Sequence, residues 1–307
     1  MIVLRGNPYE WEVPGPTAVT VGVFDGVHMG HRLVLADLVA HAHQMSLLPA
    51  VVTFDAHPLR FLAPDRTPLM LTSVEQRIEQ FRQLGVEVNG VLHFPDIRDL
   101  TAEEFAKKVL AQALQAHRVV VGADFRFGRD RGGDAELLMR IGGEEGFEVS
   151  VVDMFDHDEG VVSSTRVRAL LVGGNVEEAA RLLGRPFELT GIVERGDNRG
   201  HTVGFPTANL AVPADRLIPA NGVYASMIGW KGQNRTGVVN VGTRPTFAGQ
   251  GRRVEAHIFD FDGDLYGHGL AVRFVSRIRD ERTFTGIEEL RQQIGADAAA
   301  VRAILGG

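Results

Sequence analysis

The chain has 307 residues, of which 44% are hydrophobic, and a formal net charge of −7. This length suffices for two domains with separate cores, and the composition is typical of a globular protein rather than a disordered one. The acidic balance provides no general positive field, so neither nucleic acid nor an anionic membrane is expected as a partner. The lack of cysteine excludes disulfides, thiolate catalysis and zinc-finger sites.

Targeting and membrane segments are not predicted. The first residues lack a long apolar core with a cleavage site, and no segment approaches about 18 consecutive apolar residues. Together with the lack of cysteine, this favours a cytoplasmic location. An oligomer is possible, but the sequence does not specify its size.

In chain order, residues 1–185 alternate apolar strands with amphipathic helices. This alternation predicts an α/β domain with a doubly wound parallel sheet, covered by helices on both faces. In such folds, ligands bind at the carboxyl ends of the strands. The predicted strands are 18–24, 49–54, 90–94, 118–121 and 148–152, and the predicted helices are 30–45, 73–84, 101–115 and 133–145.

After Gly184-Arg185-Pro186 the pattern changes to short β-rich runs separated by glycine and polar turns. This pattern predicts an antiparallel β-barrel with a terminal helix. We therefore predict a domain boundary between 1–185 and 186–307. The predicted barrel strands are 187–194, 221–229, 235–241, 254–259 and 270–278, and the terminal helix is 286–305.

The first predicted strand runs into Gly22-Val23-Phe24-Asp25-Gly26-Val27-His28-Met29-Gly30-His31. The unpaired N–H groups and the dipole of the following helix attract phosphate oxygens, and glycines let a ligand approach the main chain closely. His28 and His31 can add donors, so we predict a nucleotide triphosphate site here. The alternative is that one histidine caps the helix and the other is exposed. A metal site is less favoured, because no third ligand lies nearby.

Two further polar loops follow predicted strands. They are Asp55-Ala56-His57-Pro58 and Gly122-Ala123-Asp124-Phe125-Arg126-Phe127-Gly128. Arginine suits phosphate, aromatic rings can lie against a flat ligand, and the carboxyl ends of parallel strands meet at one edge. We therefore predict that both loops join the phosphate site, although the second could instead be a solvated surface loop.

A later helix opens with Ser163-Ser164-Thr165-Arg166-Val167-Arg168. Hydroxyl side chains at this position are first of all N-caps. Together with Arg166, they could also form a second phosphate clamp at the helix N-terminus. The residues alone leave both interpretations open.

In the second part, Gly204-Phe205-Pro206-Thr207-Ala208-Asn209 follows the polar loop 195–201. Thr207 and Asn209 offer oxygen ligands suited to Mg²⁺, although P-T-A-N could also be an ordinary turn. Glu255 lies in a predicted strand with apolar neighbours. Its carboxylate is therefore either paired structurally or positioned as a general base.

Four motifs of the first part, G-V-F-D-G-V-H-M-G-H, T-F-D-A-H-P, G-A-D-F-R-F-G and S-S-T-R-V-R, occur in this order. They resemble the FMN adenylyltransferase module of the bacterial bifunctional riboflavin kinase/FAD synthetases, within the H-x-G-H nucleotidyltransferase superfamily. The resemblance implies that His28 and His31 contact ATP phosphates and serve catalysis. It also implies ATP contacts from Gly22, Phe24, Asp25, Gly30, Ser164, Thr165 and Arg166, and flavin contacts from His57, Pro58, Asp124, Phe125, Arg126 and Phe127. Asp55 departs from the glutamate that is common in relatives.

The motifs G-F-P-T-A-N, N-V-G-T-R-P-T-F and V-E-A-H-I-F resemble the riboflavin kinase module of the same family, so the resemblance spans nearly the whole chain. It implies Mg²⁺ and ATP on Thr207 and Asn209, with Gly196 and Gly204 in a loop over the phosphates. It implies that Glu255 takes the proton of the ribityl 5′-hydroxyl. His201 departs from the arginine expected in that loop.

The activity implied is therefore bifunctional. Riboflavin and ATP would give FMN at the C-terminal site, and FMN and ATP would give FAD and pyrophosphate at the N-terminal site, with Mg²⁺ as cofactor. One alternative is an adenylyltransferase for another phosphate ester, such as a pantetheine- or nicotinamide-type substrate, since H-x-G-H is widely shared. Another is a flavin-binding regulator whose sites have lost activity.

Overall fold

The computed structural model describes residues 1–153, 160–195, 205–246 and 249–306. The chain forms two compact units, Met1–Ser164 and Thr165–Gly307. Within the described residues, no helix combines the length and the apolar character needed to cross a membrane.

The first unit contains a six-stranded sheet in which all neighbouring strands are parallel. Its strand order is β1-β4-β3-β2-β5-β6, so the direction of winding reverses at β2 and leaves a crevice between β2 and β5. The strands are β1 (Ile2–Leu4), β2 (Thr17–Val21), β3 (Leu48–Phe54), β4 (Val88–Leu92), β5 (Ala116–Gly122) and β6 (Glu148–Val152).

Helices cover both faces of this sheet. Val19 and Val21 of β2 pack into one apolar cluster with the segment after α5, whereas Ala18 packs into another with Leu35 and Leu38 of α1. This alternation is what a strand buried on both faces requires. The helices are α1 (Met29–Gln44), α2 (Leu59–Leu62), α3 (Val74–Gln83), α4 (Phe94–Ile97), α5 (Ala102–Phe105), which continues as a π-helical segment (Ala106–Ala113), and α6 (Ala135–Glu145).

The predicted α/β class and the predicted barrel are both confirmed, and the differences are local. Strand β1 was not predicted, because its three residues lie at the sheet edge with Ile2 and Val3 exposed and show no clear period. The predicted helix 101–115 is only partly α-helical. Its start is as expected, since Thr101 and Glu104 form a reciprocal capping box.

The second unit contains a closed barrel in which all neighbouring strands are antiparallel, in the order β10-β11-β8-β7-β12-β9. The barrel strands are β7 (Phe187–Glu194), β8 (Ala208–Ala211), β9 (Gly222–Trp230), β10 (Gln233–Thr246), β11 (Gly249–Ile258) and β12 (Gly269–Arg279). The helices are α7 (Ser164–Val172), α8 (Val176–Leu183) and α9 (Ile287–Leu305). Strand β8 was not predicted, because it has only four residues.

Helix α8 belongs with the barrel. Leu182 and Leu183 are buried, and the carboxylate of Glu177 accepts hydrogen bonds from Ser276 Oγ at 2.6 Å and from the Arg277 N–H at 3.0 Å. The compact units therefore divide after Ser164, because α8 buries its apolar face within the second unit. The functional boundary after Arg185 stays a prediction.

Candidate functional site

The first candidate site begins where β2 ends. Beyond Val21 the backbone turns sharply, and Phe24 and Val27 adopt positive φ values of 50° and 41°. Such conformations are costly for residues other than glycine, and they persist only where the surroundings enforce them. Here the Phe24 ring is buried edge-on against His31, with ring centroids 5.1 Å apart. Packing of Phe24 against His31 thus fixes the conformation of the turn that connects β2 to α1.

The two histidines predicted at this turn are in direct contact. His28 is the N-cap of α1, and its Nδ1 accepts a hydrogen bond from the His31 N–H at 3.3 Å. The two rings stack with centroids 3.6 Å apart. A Cβ at Gly30 would lie 3.3 Å from the His28 ring, so glycine makes room for this ring. Gly22 does the same for the ring of Phe24, since a Cβ there would lie 3.1 Å from it.

The surroundings of His31 favour its neutral form. Burial, the neighbouring His28 and the Arg77 guanidinium together hold the pKa of His31 well below its usual value. Its Nδ1 is buried, and it has no hydrogen-bond partner within the part of the chain that the structure describes. A buried polar atom without a partner is costly, so this nitrogen is poised for a ligand atom.

Arg77 of α3 is a further residue of this site, and the sequence analysis did not identify it. Its guanidinium is buried and donates to the Val23 carbonyl, to Thr53 Oγ1 at 2.8 Å and to the Phe54 carbonyl at 2.7 Å. It therefore joins the segment that follows β2 to the end of β3. A charged residue on the same helix face as Val74, Ile78 and Phe81 was the signal that could have revealed it.

Asp25 was predicted to contact ATP, and the structure places its carboxylate on protein donors. The buried oxygens accept hydrogen bonds from the N–H groups of Leu71 and Thr72 and from Thr72 Oγ1, at 2.9–3.0 Å. The Gly26 N–H in turn donates to Thr72 Oγ1. Asp25 thus connects residues 22–31, here called the histidine turn, to the segment before α3. Its contact with ATP stays a prediction.

The structure brings Ser164 to the same turn. Its hydroxyl donates to the Asp25 carbonyl at 2.9 Å, at the start of α7. Thr165 and Arg166 are the next residues of that helix, in the other compact unit. Their predicted contacts with the phosphates therefore stay predictions.

The loops predicted to receive the flavin leave β3 and β5. At the end of β3, His57 and Pro58 are partly buried, and the His57 Nδ1 accepts from the Leu59 N–H at 3.1 Å. Beside them, Phe61 stacks on Phe94, whose ring also meets Phe54. These three phenylalanines form an aromatic cluster that was not predicted from the sequence, because they come from three separate segments.

At the end of β5, Asp124 and Arg126 are exposed and Phe125 is partly buried. Phe127 is buried, because its ring packs against Phe105 and stacks on Phe125 with centroids 5.3 Å apart. The buried Phe127 ring therefore packs against the inner face of the partly buried Phe125 ring. The predicted flavin contacts of this loop stay predictions.

The second candidate site lies on the outer face of the barrel. Glu255 of β11 pairs directly with Asn209 of β8 on one side and with Asn240 of β10 on the other. Directly paired residues share a face, so polar side chains form a row across adjacent strands. The row consists of Glu194, Asn209, Glu255 and Asn240.

The opposite face of the same strands is apolar. Leu210, Val254 and Val241 form the neighbouring row and are buried inside the barrel. The side chain of Glu255 is 28% exposed, and its Oε1 lies 3.4 Å from an Arg253 nitrogen. The Arg253 neighbour supports the interpretation of Glu255 as a structurally paired carboxylate. Its partial exposure supports the interpretation as a general base that a substrate can reach. Asn240 was not predicted as a site residue, although it begins the motif N-V-G-T-R-P-T-F.

Thr207 directly precedes β8 and is partly buried. It is two residues from Asn209, which belongs to the polar row. Gly196, Gly204 and His201, predicted to cover the phosphates, lie outside the described residues. The described part of the chain contains no group of three or more His, Cys, Asp or Glu side chains able to hold a metal ion alone. Thr207 and Asn209 carry oxygen donors of the kind that Mg²⁺ prefers, and their role as its ligands stays a prediction.

Comparison with known proteins covers both sites. Residues 11–166 match the family model for FAD synthetase, and residues 183–305 match the model for riboflavin kinase. A relative from Pseudomonas fluorescens, named a bifunctional riboflavin kinase/FMN adenylyltransferase, is 39% identical over 93% of this chain and 92% of its own length. Relatives with the same name from Escherichia coli K12 and Bacillus subtilis are 38% and 35% identical, over 100% and 93% of this chain and 98% and 92% of theirs.

Among solved structures, one described as a macrolide-efflux protein from Streptococcus pneumoniae has a TM-score of 0.90 to this chain. It is 34% identical, and the match covers 98% of this chain and 99% of that chain. The two family models, in this order, and the curated relatives along the whole length lead to one conclusion. The chain belongs to the bifunctional riboflavin kinase/FMN adenylyltransferase family, with the FAD synthetase domain N-terminal and the riboflavin kinase domain C-terminal.

Proposed function

We propose that this chain phosphorylates riboflavin to FMN at the barrel and adenylylates FMN to FAD at the parallel sheet, with ATP as the donor in both reactions. The observation that carries the proposal is that each compact unit holds one polar site of its own. One is the histidine turn after β2, and the other is the Glu255 row on the barrel. Each site lies in the part of the chain that matches the corresponding family model.

At the first site, the protein acts by positioning and by charge. The N-terminus of α1 and the buried cation Arg77 create a positive environment for the triphosphate of ATP, and the His31 imidazole adds a hydrogen-bond donor. The phosphate of FMN then attacks the α-phosphorus in line, and pyrophosphate leaves. Donors fixed at the start of α1 stabilise the charge that develops on the phosphoryl oxygens. Neither a protein nucleophile nor a covalent intermediate is needed.

At the second site, Glu255 is the general base. Its carboxylate accepts the proton of the ribityl 5′-hydroxyl as that oxygen attacks the γ-phosphorus of ATP, the bond from that phosphorus to the β,γ-bridging oxygen breaks, and ADP leaves. Paired Asn209 and Asn240 flank it, so the base is held in the middle of a row of polar side chains. The partial exposure of Glu255 leaves its carboxylate accessible to the substrate.

Magnesium completes this proposal. Thr207 and Asn209 would hold the ion through their side-chain oxygens, since hard oxygen donors are the ligands that Mg²⁺ prefers. When bound, the ion neutralises charge on the phosphate oxygens. A cytoplasmic location and an oligomeric state remain predictions from the sequence. Macrolide efflux is the description of the pneumococcal structure; the residues of both sites favour phosphate chemistry, so efflux is not proposed for this chain.

The test is a single incubation of the purified chain with riboflavin, ATP and Mg²⁺, followed by chromatographic separation of riboflavin, FMN and FAD. We expect FMN to form first and FAD to follow. A parallel incubation with FMN alone as flavin isolates the second reaction. Failure to convert riboflavin would refute the kinase assignment, and failure to convert supplied FMN would refute the adenylyltransferase assignment. A flavin-binding regulator would bind the flavins without turnover.

A further inference from the structure

His257 lies two residues after Glu255, at the point where pairing between β11 and β8 stops. The ladder comprises three pairs, Val254 with Leu210, Glu255 with Asn209 and Ala256 with Ala208. The residues before Ala208, which include Thr207, are outside β8. Pro206 has no N–H group, so it cannot donate a hydrogen bond to extend the ladder. The segment from Phe205 to Thr207 therefore needs a contact other than the ladder to stay beside β11.

The His257 side chain does so. Its Nδ1 lies 2.8 Å from the Pro206 carbonyl oxygen. A carbonyl oxygen only accepts hydrogen bonds, so Nδ1 carries the proton and donates it. The same ring meets Phe205 edge-on, with centroids 5.3 Å apart. His257 thus contacts both residues that directly precede Thr207.

The ring of His257 is itself braced from the other side. It meets Phe259 edge-on at 5.7 Å, and Phe259 belongs to the apolar cluster that contains Val301 of α9. The guanidinium of Arg302 lies over the Phe259 ring at 4.4 Å. A continuous series of contacts therefore connects the segment before Thr207 to the core beneath α9.

We infer that His257 is a positioning residue for the kinase reaction: its Nδ1–H holds the Pro206 carbonyl and thereby places Thr207 beside Asn209 and Glu255. This role rests on the proposed kinase function. It acts on the binding of the magnesium–nucleotide complex, because Thr207 is the oxygen donor that the hydrogen bond places. It does not act on the proton transfer itself, which belongs to Glu255.

Two matched variants test this hydrogen bond. In His257→Asn the amide nitrogen occupies nearly the position of Nδ1, whereas in His257→Gln the amide lies one bond farther out, near the position of Nε2. Both variants remove the ring and its contacts with Phe205 and Phe259. Any difference between them therefore reports on the donor position. A net hydrogen bond corresponds to roughly a threefold to tenfold change in an equilibrium constant.

The measurement is the KM for magnesium–ATP and the kcat of riboflavin phosphorylation, in the full chain. We expect the KM of His257→Gln to exceed that of His257→Asn by about threefold to tenfold, with similar kcat values. FAD formation from supplied FMN is expected to be equal in both variants and in the unaltered chain. Equal KM values for the two variants, or a difference confined to kcat, would overturn the inference. Absence of phosphorylation in the unaltered chain would instead refute the kinase assignment.

Discussion

The two sites obtain their order by different means. At the histidine turn, the polar groups are buried: His28, Asp25 and Arg77 are each at most 5% exposed, and the backbone between β2 and α1 has positive φ values at Phe24 and Val27. On the barrel, Glu255 and its neighbours lie on an outer face, and strand register alone places them side by side. The parallel-sheet unit thus positions its polar groups by burial, and the barrel positions them by cross-strand pairing.

This difference has a practical consequence for each site. The buried site depends on residues such as Arg77 and Thr72, which lie about 50 residues away in the sequence and are hydrogen-bonded to the turn after β2. Burial also lowers the pKa of His31. A register-based arrangement depends on pairing, so its key residues are those directly opposite one another and those at the ends of the ladder.

The largest effect is expected from cutting the chain at two alternative boundaries. The fragment 165–307 retains α7 and α8, whereas 186–307 lacks them. Burying a leucine contributes about 1.5–3 kcal/mol, and Leu182 and Leu183 are both buried in α8. The shorter fragment should therefore lose several kcal/mol, a large part of a typical domain stability of about 5–15 kcal/mol.

Urea unfolding and riboflavin phosphorylation of both fragments provide the measurement. We expect 165–307 to unfold cooperatively and to retain kinase activity. Equal stability and activity of 186–307 would contradict this expectation and would support the predicted boundary after Arg185.

The second prediction sharpens the contrast at the barrel. Glu255→Gln preserves the shape of the side chain and removes the base, so riboflavin phosphorylation should fall by roughly 10²–10⁴-fold. FAD formation from supplied FMN should not change, since that site lies in the other unit. The control is Glu288→Gln, which alters an exposed carboxyl at the start of α9. Near-normal phosphorylation by Glu255→Gln would rule out Glu255 as the base.

The third prediction reverses the phenotype. His31→Ala removes a donor held at the start of α1, and loss of one such donor costs about 10²–10³-fold in rate. FMN should therefore accumulate when the variant is supplied with riboflavin and ATP. His43→Ala, an exposed histidine near the end of the same helix, is the matched control. Unchanged FAD formation by His31→Ala would show that this imidazole does not serve the reaction.

The smallest effect concerns pH. Burial, His28 and Arg77 lower the pKa of His31 in the folded chain, whereas an unfolded histidine titrates near pH 6.5. Below that pH, the unfolded chain binds a proton at this position that the folded chain does not bind. Folding stability should therefore decrease as the pH falls below about 6.5, by at most about 1.4 kcal/mol per pH unit for this one group.

The check is urea unfolding of the chain without nucleotide between about pH 5 and 8, which spans the range in which histidine titrates. His31→Gln should flatten the dependence, and His43→Gln should leave it unchanged. A slope that survives His31→Gln would assign the effect to other groups.

Much of the molecule was predictable from the residues alone. The alternation of apolar strands and helices predicted the parallel sheet, and the short strands with polar turns predicted the barrel. Both predictions were possible because the spacing of apolar residues in helices and in strands follows from backbone geometry. The histidine turn was also predictable, since G-x-F-D-G-x-H-x-G-H combines a strand end, glycines and a helix start within ten residues.

Three features could not be predicted, because each depends on contacts between distant segments. In the sequence, Arg77 is one charged residue in a helix, and only the packed sheet shows that it joins the segment after β2 to the end of β3. Asp25 reads as a ligand-binding residue, and only the fold places Leu71 and Thr72 against its carboxylate. Phe127 reads as a loop aromatic, and its burial against Phe105 is a tertiary contact.

The two fold classes, the position of the histidine turn, and the P-T-A-N and Glu255 motifs could all be identified from the residues, because they depend on local periodicity and on residue chemistry. Which polar groups meet depends on contacts between distant segments. Strand register placed Asn240 and Asn209 on either side of Glu255, and burial placed Arg77 and His28 beside His31. Register and burial arise only when the whole chain excludes water from its cores, so no short stretch of sequence contains them.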